Sequence, residues 1–259
     1  MLKKFFLLFV ASFFIYSCAP SYPKENLIQD IKKLVLKETG RNCEVHKIGS
    51  TIFLDMEMED LTSTKSEVTS NAIKALQNAV FAITRVSLSS DADIKIMIIS
   101  AFDPNYQVLL RMFQNMDDVK SYFFQRISRG DYEQRQLIEF EGPDTAKETI
   151  LDKHHISQEE YVARLIISQI NMAARTNPFL SAAISALGLR YNSFDNGSIY
   201  VSSKMVNSSS IEKLLGKIIE EKLNEYIEKY KISSIKSVRV LLGNGNVAFE
   251  VFATGKSAT

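Results

Sequence analysis

The residues best suited to chemistry in this 259-residue chain are few: three histidines and two cysteines. Nucleophilic catalysis needs a base beside a Ser or Cys and a site for the developing oxyanion. His46 and Cys43 are three residues apart in a segment that alternates like a strand, so their side chains point to opposite faces. Cys43 reads as a small buried strand residue and His46 as an exposed one. No Gly-x-Ser-x-Gly elbow occurs. His154-His155, with Asp152, Glu159 and Glu160, is the cluster richest in metal-ligand types. Adjacent histidines diverge on most backbones, and the spacing is not the His-Glu-x-x-His pattern that places two ligands and a base on one helix face. Gly243-Asn244-Gly245 lies between strand patterns rather than opening a helix, so it lacks the amides that hold phosphate. We therefore assign no catalytic residue, no metal ligand and no cofactor site. Tyr122-Phe123-Phe124 stands out differently: three consecutive aromatics cannot all face one core, so they either pack between layers or leave a surface for a partner or lipid.

The other cysteine has a distinctive setting. The chain opens with Lys3-Lys4, an apolar run from Phe5 to Tyr16, then Ser17-Cys18-Ala19-Pro20. A basic start, a short apolar stretch and a small residue at the cut are the parts of a secretory signal. The run is shorter than the roughly 20 apolar residues of a spanning helix. Ile15-Tyr16-Ser17-Cys18 resembles the lipobox of bacterial lipoproteins, with Ile15, Ser17 and Cys18 on pattern and Tyr16 bulkier than usual. The resemblance implies diacylglycerol on Cys18, cleavage before it, and lipid attachment to an envelope membrane. Ala19, where an Asp favours inner-membrane retention, points to the outer membrane, facing the periplasm or the surface. Two or three acyl chains hold firmly where one binds marginally.

Composition narrows the rest. Of 31 basic side chains, Lys3 and Lys4 leave with the signal; 30 acidic ones remain, so the mature chain carries one net negative charge. That balance gives no support for nucleic-acid binding. With Cys18 acylated, Cys43 has no intramolecular partner, so packing must supply cohesion.

The elements read as a weak internal repeat. In the first half an amphipathic helix (Ile28, Ile31, Leu34, Val35) ends near Gly40. Strands Cys43–Ile48 and Thr51–Met58 follow, then a long helix from Glu67 to Val86 with Ile73, Leu76, Val80 and Ile83 on one face. Strands Ile94–Ser100 and Tyr106–Phe113 close it. The second half repeats the order: a helix with Phe179, Ala183, Ile184 and Leu187; a hairpin turning at Asn196-Gly197-Ser198; a long helix with Ile211, Leu215, Ile218, Leu223 and Ile227; and strands Val238–Leu242 and Val247–Phe252. Asn-Gly between alternating apolar runs is a strong hairpin signal. Between the halves, Asp117–Ser128 reads as a helix and Gln134–Glu141 as a strand. Ser157 and Glu160 fit a capping box opening a helix to Thr176. Ala163, Ala173, Ala174, Ala182, Ala183 and Ala186 suggest close helix packing there.

The expected fold is α+β: two related two-layer sandwiches with mainly antiparallel sheets. Residues 1–17 form the signal, 18–25 the lipidated tether, 26–142 the first unit, 143–156 a linker and 157–259 the second unit. The expected function is a non-catalytic assembly, anchoring or adaptor lipoprotein with an envelope protein partner; the oligomeric state stays open. A carrier of lipid or another apolar ligand is the alternative, and an enzyme with an active site formed only in space the third.

Overall fold

A computed structural model describes residues 21–64, 67–177, 180, 188–203 and 209–254. Cys18 with the signal segment, and the helix expected around Phe179, Ala182, Ala183, Ile184, Ala186 and Leu187, lie outside the described residues. Within them the chain is α+β. The helices are α1 (Leu27–Thr39), α2 (Ser70–Leu88), α3 (Met116–Phe123), α4 (Arg129–Gln134), α5 (Ala146–Leu151), α6 (Gln158–Thr176) and α7 (Ser209–Tyr230). The strands are β1 (Glu44–Ile48), β2 (Thr51–Glu57), β3 (Thr62–Thr64), β4 (Glu67–Val68), β5 (Ile96–Asp103), β6 (Val108–Asn115), β7 (Leu137–Glu141), β8 (Arg190–Asp195), β9 (Ser198–Ser202), β10 (Ser237–Leu241) and β11 (Val247–Phe252). They form sheets in the orders β1-β2-β5-β6-β7, β11-β10-β9-β8 and β3-β4.

The described residues pack as two compact units, those up to 111 with 140–154, and 112–139 with those from 155 onward. The sequence reading puts residues 112–139 in the first unit; they pack with the second. Residues 143–156 read as a linker, yet α5 packs on β5 within the first unit. There Lys153 Nζ lies 3.2 Å from the largely buried Asp55 Oδ2. This cover explains why β2 and β5 are buried along both faces, unlike the one-faced strands expected.

The two larger sheets are mixed, each with a parallel pair among antiparallel ones, and β3 pairs with β4 antiparallel. β1 and β2 pair antiparallel, but β2 and β5 run parallel. Likewise β8–β9 and β10–β11 are antiparallel and β9–β10 parallel. A long helix separates each parallel pair, α2 in one case and α7 in the other. It returns the chain across the sheet, so the next strand starts at the same end as the last.

Local signals explain the boundaries. Thr69 caps α2 by accepting from the Ala72 amide at 3.1 Å, and Ser157 caps α6 through Glu160 N, also at 3.1 Å. Gly40, at φ 69°, ends α1. The buried side of α2 is Ala72, Leu76, Ala79, Ala82, Ile83 and Val86; Ile73, expected inside, is 45 % exposed. α2 packs on α1 with three alanines on its buried side, and Ile73 lies outside that side. In the second unit, Leu215, Ile219, Leu223 and Tyr226 are the buried residues of α7, and Ile199, Val201, Val238 and Val240 are buried in β9 and β10; Ile218 and Ile227 are only partly buried.

The β8–β9 turn gives a direct test. Asn196 and Gly197 both have positive φ, 50° and 84°. A Cβ on Gly197 would lie 2.8 Å from the Ser234 carbonyl oxygen. Gly197→Ala should lower unfolding free energy by about 2–4 kcal/mol, from left-handed strain plus a backbone clash. Urea denaturation measures this; a loss under about 1 kcal/mol would show that the turn relaxes.

Candidate functional site

The second unit builds a polar cluster beneath an exposed aromatic tip. Asn115 caps α3 by accepting from Asp117 N at 2.8 Å. Asp117 and Asp118 then lie in the first turn, where amide dipoles favour carboxylates. α3 ends without glycine: Gln125 takes φ 55°, its N–H donates to the Tyr122 carbonyl, and Arg126 N donates to the Ser121 carbonyl. These two bonds make a Schellman closure with Gln where Gly is usual. It leaves Phe123 55 % and Phe124 70 % exposed. Arg126 lies 5.6 Å over the Phe124 ring. Tyr122, the third residue of the triplet, is half-buried and stacks on Tyr132 of α4, with centroids 4.6 Å apart.

Below the tip, both oxygens of Asp118 accept hydrogen bonds, 2.7 Å from Arg135 Nη1 and 2.6 Å from Tyr230 OH. The Arg135 guanidinium also stands 5.4 Å over the Tyr230 ring. Tyr161 OH of α6 donates to the Arg135 carbonyl, and Tyr226 OH of α7 donates to the Gln134 carbonyl at 3.2 Å. These bonds tie the end of α4 to two long helices.

Burial raises the Asp118 carboxyl above its ordinary range, while Tyr230 and Arg135 pull it down. For Arg135, burial lowers the guanidinium, but contacts led by Asp118 more than restore it. The two directions conflict over how well the pair is stabilised; the two short bonds accepted by Asp118 favour a held carboxylate. Burial pushes the phenols of Tyr161, Tyr226 and Tyr230 well above their ordinary value. They retain their protons as donors, so the cluster's chemistry is positioning. A second network lies in the same unit: Arg164 bonds Glu160 at 2.9 Å and Glu139 at 3.2 Å, and lies 4.4 Å over Tyr191.

The other sequence candidates are scattered. Cys43 precedes β1 and is half-buried rather than on the strand; burial raises its thiol to about 11, against reactivity. His46 is exposed on β1. His154 Nδ1 lies 3.3 Å from Asp152 Oδ1 on an exposed loop. Glu160 turns to Arg164, away from a metal cluster with the histidines. Among the described residues, no group of three or more His, Cys, Asp or Glu side chains could hold a metal. Gly243-Asn244-Gly245 forms the β10–β11 turn, where Asn244 Oδ1 accepts from Asn246 N at 3.1 Å. An open depression of about 630 Å³ in the first unit is lined by Arg41, Glu57, Glu59, Asp60 and Asn105. Its charged walls do not suit an apolar ligand.

The chain matches no protein-family model, and neither the curated proteins nor the solved structures compared with it gave a match. No helix among the described residues is long and apolar enough to cross a membrane.

Proposed function

We propose that this protein is a non-catalytic lipoprotein of the bacterial envelope, held by acylated Cys18 and acting as an assembly, anchoring or adaptor component of a protein complex. The observation that carries the adaptor role is the exposure of Phe123 and Phe124 on a base clamped by Asp118, Arg135 and Tyr230. Exposed aromatics beside arginine match the residues that dominate binding at protein interfaces. Rigid support lowers the entropy lost on binding. The membrane address rests on Lys3-Lys4, the apolar run and Ile15-Tyr16-Ser17-Cys18, with Ala19 favouring the outer membrane. The shared order hairpin, helix, hairpin around a central parallel pair supports reading the units as repeats; backbone superposition of β1–β2–α2–β5 on β8–β9–α7–β10 tests that relation.

Native lipidated protein, extracted in mild detergent, should bring down one protein at constant stoichiometry. Phe123→Ser with Phe124→Ser should weaken that association at least about 30-fold, the loss of an interface hot spot, with urea stability unchanged. Absence of a stable partner, or full retention by the double variant, would overturn the adaptor reading. Mass spectrometry of the mature amino-terminal peptide checks the acyl group on Cys18 separately.

A further inference from the structure

The first unit presents a second apolar surface, in a place the tether connects to the membrane. Ile73, Gln77, Phe81 and Arg85 recur every four residues along α2 and are all exposed, so they form one slowly drifting stripe, with Lys74 beside it. Phe81 is 67 % exposed and Ile73 45 %. The 19 residues of α2 include Lys74 and Arg85 but no Asp or Glu. This is a stripe carrying two exposed apolar side chains, with a cation near each end and no carboxylate on the same helix.

The chain also specifies what lies nearby. Tyr22 bridges to Ser90, its N–H donating to the Ser89 carbonyl at 3.3 Å, and Lys24 N donates to Asp91 Oδ1 at 2.7 Å. The tether is therefore pinned at the C-terminal end of α2. Four residues from Cys18 to Tyr22 span at most about 14 Å. Along the helix, Phe81 is only about 12 Å from Ser89, and Arg85 is nearer. An acyl group on Cys18 thus fixes the lipid surface within reach of this stripe.

We propose that the exposed face of α2 lies on the membrane that receives the Cys18 lipid, with Phe81 and Ile73 at the acyl boundary and Lys74 and Arg85 against anionic headgroups. This rests on the lipid anchor of the proposed function and adds an orientation. The face gains apolar burial and electrostatic attraction together, as interfacial helices do. It also gives the anchored unit a second point of attachment.

The chain has no tryptophan, so Phe81→Trp provides a single fluorescent reporter at an exposed position. Full-length lipidated Phe81→Trp protein is reconstituted into vesicles of phosphatidylcholine and phosphatidylglycerol, with bromine on the acyl chains in a parallel sample. The expected result is a blue-shifted emission that bromine quenches about twofold or more, as for a side chain at the acyl boundary. Adding Lys74→Glu and Arg85→Glu should reduce that quenching. Acylated protein that floats with the vesicles but shows unquenched emission overturns the orientation and leaves the anchor standing. A blue shift without quenching overturns it too, assigning the face to protein contact. Cys18 unmodified by mass removes the anchor, and this proposal with it.

Discussion

Arg135→Met is expected to lower the unfolding free energy by about 3–5 kcal/mol, the range for stranding one member of a buried ion pair. The Arg135 and Asp118 side chains are only 15 % and 6 % exposed. Removing the guanidinium leaves Asp118 with Tyr230 as its side-chain donor while desolvation persists. Removing both charges should be milder: Asp118→Leu with Arg135→Met no longer buries an unpaired carboxylate, so the double variant should be more stable than Arg135→Met alone. Urea denaturation of wild type, both single variants and the double variant closes the cycle. A loss below about 1 kcal/mol for Arg135→Met would mean that water reaches Asp118 and that the cluster does not clamp the tip.

Alkali should unfold the protein sharply, through its tyrosines. Burial is the largest influence raising the phenols of Tyr132, Tyr161, Tyr191, Tyr226 and Tyr230. Nearby carboxylates add to it, Asp118 for Tyr132, Tyr161 and Tyr230, and Glu160 for Tyr191. A phenol whose folded value exceeds its unfolded value stabilises the fold fully below the unfolded value. That stability is lost as pH rises from there toward the folded value. The window therefore opens near about pH 10, the ordinary phenol value. Each retained proton then removes about 1.4 kcal/mol per pH unit, so Tyr161 and Tyr230 alone remove roughly 5 kcal/mol over two units, a large part of the 5–15 kcal/mol typical of a domain. Absorbance at 295 nm and far-UV circular dichroism, followed together, should show a late phenolate step coincident with unfolding. All the tyrosines ionising reversibly near pH 10, with the dichroism intact, would refute it.

The two aromatic surfaces suit different neighbours. Phe123 and Phe124 sit among charges of both signs, including Asp117, Lys120, Arg126 and the paired Arg129 and Glu133. A mixed rim suits a protein partner. α2 itself carries cations and no carboxylate, and it adjoins the pinned tether, which suits an anionic lipid surface. The Phe123/Phe124 and Phe81 variants should therefore separate partner capture from membrane contact.

Patterns carried by neighbouring residues were legible before folding. Alternation and the Asn-Gly turn marked β8–β9 and β10–β11, Ser157 marked the start of α6, and Asn177-Pro178 its end. Three consecutive aromatics, Tyr122 to Phe124, could not all face one core, but which of them stays outside was not written locally. The legible signals are local: period, caps and turn chemistry act over a few residues. α3 was read five residues too long because Gln125 closes it in a conformation usually marked by glycine.

Tertiary structure decided the remainder. Tyr226 and Tyr230 extend the α7 stripe, but their value depends on carbonyls and carboxylates about a hundred residues away, at Gln134 and Asp118. Nothing in the local pattern distinguishes Asp118 from Asp117, or Arg135 from the solvated arginines around it. Which side of α2 would be covered, leaving Ile73 and Phe81 outside, depended on its packing partners in the fold. The parallel central pairs and the packing of residues 112–139 with the second unit are likewise choices of long-range pairing. By itself the sequence determined the elements and the lipobox-type start, because those are written in adjacent residues. Which polar groups would meet, and which apolar ones would be left outside, required the fold, because burial and pairing are properties of surfaces that the chain brings together from distant positions.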